Sequence, residues 1–234
     1  MKLFIFPRPV GLPNYSPFCV KLETYLRMTG CDYQPVLGFD SKPNPKRQMP
    51  FVEIDGKIIG DSTLIIDELV KRYGDKTDGN LTIQEQSLRQ AFQTMLENHF
   101  TKFMVWFRWC DDAGWPVFRD SVFAQAPFFV RQFIAPLIAR KVRKSLYSEG
   151  TGRLSPAEMT LLANKDLSSL STYLGDKPFF FGAEPTLIDA IIFATVGNVI
   201  LSSVDPVLGN LARKYENLVA HTTKMQQKYF SDIK

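Results

Sequence analysis

The chain is poor in the side chains that build metal centres and catalytic relays: its 234 residues include two histidines, His99 and His221, and three cysteines, Cys19, Cys31 and Cys110. Neither histidine has a partner at metal-ligand or triad spacing, so no metal site is expected. An odd cysteine count without framework spacing argues against a disulfide scaffold and suits a reducing compartment, which makes the cytoplasm the expected location. A glycine-rich phosphate loop is missing, and so is the basic, apolar and small-residue order of a secretory leader. No apolar run reaches the ~18 residues of a membrane span. The nearest approach, 128–142, is interrupted by Arg131, Gln132, Pro136, Arg140 and Lys141 and reads as a protein-core helix. The net charge of +4 is scattered except at Arg140-Lys141-Val142-Arg143-Lys144, so no nucleic-acid partner is expected. That basic run reads as a solvated face, with a partner or an anionic membrane surface as the alternative.

What is present is enough apolar sequence for a real core and enough length for two domains. Lys2-Leu3-Phe4-Ile5-Phe6 reads as a strand ended by prolines. A helix follows, with Phe18, Leu22, Tyr25 and Leu26 on one stripe and Gly30 at its end. Asp32 to Leu37 reads as a second strand, and a polar loop rich in proline and lysine leads to Met49-Pro50. Phe51-Val52-Glu53-Ile54 and Lys57-Ile58-Ile59 flank Asp55-Gly56, the strongest short hairpin signal. Asp61-Ser62 then caps a helix carrying Leu64, Ile65, Leu69, Val70 and Tyr73. Beyond a polar linker only helices are expected, three of them opened by a hydroxyl with an acid three residues on: Thr82 with Glu85, Ser155 with Glu158, Thr186 with Asp189. The stretch 92–118 is dense in aromatics, and it can line a core or a pocket. Arg108 and Asp111 lie among those rings, placed either to face a cleft or to pair.

The most informative segment is Tyr15-Ser16-Pro17-Phe18-Cys19. Ser16 suits the N-cap and Pro17 the first helical position, which leaves backbone donors free at the positive end of the helix dipole. Such a site favours an anion, and in Cys-x-x-Cys proteins it depresses thiol pKa values. Here the first cysteine is replaced by Ser16. A serine cannot form a disulfide, but its hydroxyl can hydrogen-bond a thiolate brought by another molecule. Tyr15 is the rival donor, and Cys19, on the same face, is either a second thiol at the site or a small buried hydrophobe.

The order of elements, with Ser16-Pro17-Phe18-Cys19, Asn44-Pro45-Lys46-Arg47-Gln48-Met49-Pro50 and Asp61-Ser62, resembles the glutathione transferase superfamily. Lys21-Leu22-Glu23-Thr24-Tyr25-Leu26-Arg27, Gly152-Arg153-Leu154-Ser155-Pro156 and Phe179-Phe180-Phe181-Gly182 with Thr186-Leu187-Ile188-Asp189 resemble its failed-axon-connections and metaxin-like branch. The resemblance implies an α/β plus all-α fold. A thioredoxin-like domain of order β-α-β-α-β-β-α would span 1–76, a linker 77–81, and an all-helical domain 82–234. It implies glutathione as co-substrate, a hydrophobic small-molecule partner, a homodimer, and transfer of alkyl or aryl groups as the activity.

In that reading Met49-Pro50 is a cis bond that turns an edge backbone toward an extended peptide, and a tripeptide docks there like an added strand. Ser62 and the first amides of its helix take the γ-glutamyl carboxylate, with Asp61 beside them. Gln48 reaches the ligand backbone, and Lys46 or Arg47 meets the glycyl carboxylate. Two other readings stand beside it: a non-catalytic binding or assembly module, and a thiol-disulfide oxidoreductase that works through Cys19.

Overall fold

The structure, a computed structural model, describes residues 1–124 and 126–233. Strand β1 (Lys2–Ile5) runs parallel to β2 (Gln34–Leu37) and antiparallel to β3 (Phe51–Ile54), and β3 pairs antiparallel with β4 (Lys57–Gly60). The sheet order is β2-β1-β3-β4. Parallel neighbours need a crossover, and helix α1 (Pro17–Thr29) supplies it, ended by Gly30 in the left-handed region at φ 65°. The hairpin turns on Asp55 (φ 52°) and Gly56 (φ 74°), the two positive φ values that a turn matching strand twist requires. Helix α2 (Ser62–Tyr73) follows β4 directly.

One element of the expected order is absent. Between β2 and β3, residues 38–50 form turns and bends rather than a helix. Pro43, Pro45 and Pro50 remove donors there. Buried Asn44 claims local backbone groups instead, donating Nδ2 to the Gln48 carbonyl at 2.7 Å and accepting from the Lys46 N–H at 3.1 Å.

The rest of the described chain is helical. Helices α3 (Ile83–Met95) and α4 (Thr101–Trp109) are joined by a π-helical turn, Leu96–Phe100. Helices α5 (Gly114–Val122), α6 (Ala135–Glu149) and α7 (Pro156–Leu174) follow. Helix α8 (Leu187–Ile192) runs through a further π-helical turn, Phe193–Gly197, into α9 (Asn198–Leu201), and α10 (Pro206–Ala212) and α11 (Glu216–Tyr229) complete the fold. All three expected capping boxes form.

A single apolar cluster joins the sheet side to the helices: Leu3, Leu22, Leu26 and Val52 pack into the same core as Phe103, Leu167, Ile188 and Ile191. Polar ties cross the same junction. Buried Lys21 donates to Glu97 at 2.6 Å and to Thr63 at 2.8 Å. Asp78, in the 77–81 stretch, is itself buried and accepts from the Leu187 N–H at 2.9 Å.

The run 128–142 is not a core helix. Phe128, Phe133 and Leu137 are exposed, and only Ala135, Ala139 and Leu146 of α6 face inward. Apolar composition reported the helix but not which side of it would be covered.

Candidate functional site

The sheet register gathers the three motifs at one end. Phe4 faces Phe51 across β1 and β3, and Phe51 faces Gly60 across β3 and β4. The C-terminal ends of β1 and β4 and the N-terminal end of β3 therefore share an edge. Beyond it lie the loop to Ser16, the Met49-Pro50 pair and the start of α2.

Ser16 is the N-cap of α1, and its Oγ accepts from the Cys19 N–H at 3.4 Å. That contact uses a lone pair of the hydroxyl, which also pulls on the Cys19 thiol. The loop carrying Tyr15 and Ser16 is pinned from both sides. Buried Asn14 donates to the Phe6 carbonyl at 2.7 Å, and its Oδ1 accepts from the Ser16 N–H at 3.0 Å. From the helices, Arg108 donates to the Tyr15 carbonyl at 2.6 Å and Asn198 to the Asn14 carbonyl at 2.9 Å. Arg108 is buried and forked onto Asp205 at 2.8 and 2.6 Å. The ambiguous charge among the rings is thus a clamp on the loop, whereas Asp111 caps the turn into α5 by accepting from the Ala113 and Gly114 amides.

The aromatic run divides between core and cleft. Phe100, Phe103 and Phe107 are buried in the common core. Tyr15 meets Phe118 edge-on at 5.5 Å, and Trp109 contacts both Trp115 and Phe118. Across the loop, half-exposed Phe39 packs between Phe6 at 5.8 Å and Phe123 at 6.1 Å. Tyr15 and Ser16 are each half-buried.

Cys19 does not fit a reactive role. It is fully buried, and desolvation pushes its thiol up to about 12, over the opposing pull of the Ser16 hydroxyl. A reactive thiol needs the reverse, a thiolate within reach of solvent. Cys110 is raised to about 11, again by burial.

Met49-Pro50 is cis, as expected. Pro50 is buried and Met49 half-buried; Gln48 is exposed, with its carbonyl held by Asn44. Lys46 reaches over the end of β4 to the Gly60 carbonyl at 2.9 Å, and exposed Arg47 sits at φ 56°. Gly60 is required by this packing, since a Cβ there would lie 2.3 Å from the Asn44 Oδ1.

The start of α2 differs from the expected open anion site. Asp61, at φ 83°, folds its own carboxylate onto the Thr63 and Leu64 amides at 2.9 and 3.3 Å. Two of the helix's free donors are therefore already taken. Ser62 is buried at the first helical position. Positive φ at a non-glycine residue stores backbone strain, a feature that clusters at functional sites.

The histidines pair with acids outside this cleft. His99 meets Asp166 at 2.7 Å, and His221 meets Asp189 at 2.9 Å, where Asp189 also caps α8 as expected. No group of three metal-ligating side chains occurs among the described residues. A cavity of about 110 Å³ lies at the junction between the sheet side and the helices, lined in part by Lys21, Asp78 and Arg89, and is separate from the Ser16 loop.

Sequence reasoning missed Asn14, Asn44, Asn198 and Asp205 as organisers of the site. Asn14 and Asn44 each precede a turn, so Asx-turn chemistry could have found them. Nothing local marks Asp205, which lies 97 positions from Arg108.

The glutathione S-transferase N-terminal domain model matches residues 17–114 and the glutathione S-transferase C-terminal domain model residues 163–225. The fold and these matches define the class: the chain belongs to the glutathione S-transferase family. Within it, the chain is 34% identical to failed axon connections of Drosophila melanogaster over 98% of its length, and spans 58% of that relative. It is 27% identical to the isoprene-epoxide–glutathione S-transferase of Rhodococcus sp. strain AD45, covering 94% of each, and 21% identical to human metaxin-2 over 81% of this chain and 72% of that one. Among solved structures, a glutathione S-transferase of Methylobacterium radiotolerans in complex with glutathione sulfonate superposes with a TM-score of 0.63 at 16% identity, covering 100% of this chain and 94% of that one.

Proposed function

We propose that the chain binds glutathione at the edge shared by the Ser16 loop, Met49-Pro50 and Asp61-Ser62, and presents its thiolate to an electrophile. The observation that carries this reading is Ser16: a half-buried N-cap hydroxyl on a loop clamped by buried Arg108. A free thiol with pKa ~8.5 is only about 3% ionised at pH 7, and lowering it by ~2 units takes about 2.7 kcal/mol. A helix N-terminus contributes ~0.3–1 kcal/mol and a hydrogen bond to a charged group ~1.5–3. Ser16 and the amides of α1 together are sufficient. Tyr15 is the second donor in reach of the same loop.

The peptide would pair with the Met49 backbone, with Gln48 alongside. Ser62 would take the γ-glutamyl carboxylate. Asp61, its carboxylate held in place by two amides, matches the γ-glutamyl ammonium. Lys46 or Arg47 would meet the glycyl carboxylate. Exposed Phe39, stacked on buried Phe123, would offer apolar surface for a hydrophobic co-substrate. On this reading the protein is a cytoplasmic, homodimeric alkyl- or aryl-transferring enzyme, with domains divided at 77–81; its free cysteines are consistent with a reducing compartment.

The test is titration calorimetry with reduced glutathione, comparing wild type with Ser62→Ala. Micromolar to low-millimolar binding that the substitution weakens tenfold or more supports the site. No heat and no thermal stabilisation at about 10 mM glutathione would remove glutathione from the reading and favour an assembly module.

A further inference from the structure

The outward face of α6 and of the turns before it has no role in the cleft. Ala135, Ala139 and Leu146 face the core. On the opposite side Phe129, Phe133 and Leu137 follow one another at four-residue spacing, 57%, 64% and 64% exposed, with exposed Ile134 and Ile138 beside them. The row continues into Lys141, and Arg140 and Lys144 flank it, all three exposed. Along one face, then, the helix is apolar at its N-terminal end and cationic at its C-terminal end.

No acidic residue occurs between Phe128 and Ser148. Arg131 pairs with Asp120 at 3.1 Å and Arg143 donates to the Trp109 carbonyl. Arg140, Lys141 and Lys144 have no acidic partner among the described residues.

We propose that this face seats the protein on an anionic lipid bilayer, the phenylalanine end dipping below the headgroups and the basic end lying on their phosphates. A solvated face does not expose three phenylalanines, and a surface helix with an apolar side and lysine- and arginine-rich polar positions is the pattern of in-plane membrane binding. Charge decides between a bilayer and a second copy. Two-fold pairing through this face would place two acid-free cationic strips in one interface, whereas an anionic bilayer supplies an apolar layer and a negative layer at the required depths. The net charge of +4 adds long-range attraction of the same sign. Among the described residues no single helix is long and apolar enough to cross, and the contact proposed for this face lies in the plane of the surface.

The experiment is vesicle flotation of the full chain with phosphatidylcholine alone and with about 30 mol% phosphatidylserine, at about 0.1 and 0.5 M salt. Partitioning at least tenfold greater onto the anionic vesicles is expected, reduced at high salt. It should fall about tenfold in both Phe133→Ser/Leu137→Ser and Arg140→Gln/Lys141→Gln/Lys144→Gln. These side chains are exposed, so the melting temperature should not drop and a loss of binding is not a loss of fold. Absence of binding to either vesicle overturns the proposal, as does binding that survives both variants. A dimer in sedimentation that Phe133→Ser/Leu137→Ser converts to monomer, without vesicle binding, would assign the face to a second copy instead.

Discussion

The guanidinium of Arg108 donates at 2.6 Å to the backbone carbonyl of Tyr15, so a buried cation on a helix sets the position of the loop that carries Ser16. The same side chain is neutralised by Asp205, which is fully buried. Removing one partner of such a pair strands the other charge and costs about 3–5 kcal/mol. Arg108→Met should therefore destabilise by that amount in urea denaturation, and Arg108→Met/Asp205→Leu by distinctly less. If the double variant is as unstable as the single, the stranded-charge account fails.

Ser16→Ala separates capping from chemistry. Loss of the cap costs about 1 kcal/mol. Loss of the thiolate's hydrogen-bond donor should lower kcat more than tenfold against a glutathione-accepting electrophile, with glutathione affinity kept within a few-fold. Cys19→Ala, a buried change, should leave kcat within threefold. Intact-mass analysis of the native protein after exposure to oxidised glutathione should show no adduct on Cys19. A Cys19 adduct would revive the thiol-disulfide reading.

Asn44 supports the ligand-facing backbone without touching a ligand. Asn44→Ala leaves the Lys46 amide and Gln48 carbonyl without the partner they have now, at about 1–3 kcal/mol if they stay buried. Glutathione affinity should fall at least fivefold, because Gln48 and Met49 lose their anchor. Gly60→Ala should reproduce both effects through its clash with the same side chain. Normal affinity in a destabilised Asn44→Ala would show that the loop is held by other contacts.

The C-terminal end is fastened by a pH-sensitive pair. Arg27 and Asp232 form an ion pair, and the hydrogen bond from Arg27 holds the Asp232 carboxyl below its ordinary value of 3.8. A depressed carboxyl binds fewer protons folded than unfolded, so its contribution is complete above the ordinary value and is lost as pH falls through the folded one. The stability difference between wild type and Asp232→Asn should be constant from pH 7 to about 5 and shrink toward zero in acid. A difference that grows in acid contradicts the sign.

Much of the fold was legible because its signals are local. A proline after a cap, Asp-Gly between alternating apolar residues, and a hydroxyl with an acid three positions on each satisfy backbone groups within one turn of chain, so short sequence determines them. Ser16, Pro17, Asp55-Gly56 and the three capping boxes stand where local chemistry put them. The loop 38–50 was harder, since its order depends on one buried asparagine and on the absence of a Cβ at Gly60. Tertiary structure alone decided that Cys19 is sealed by desolvation, that Asp61 fills its own helix terminus, that Arg108 reaches Asp205 across 97 positions, and that one side of α6 stays bare. Each of these depends on which distant surfaces meet and exclude water, and no short stretch of chain carries that information.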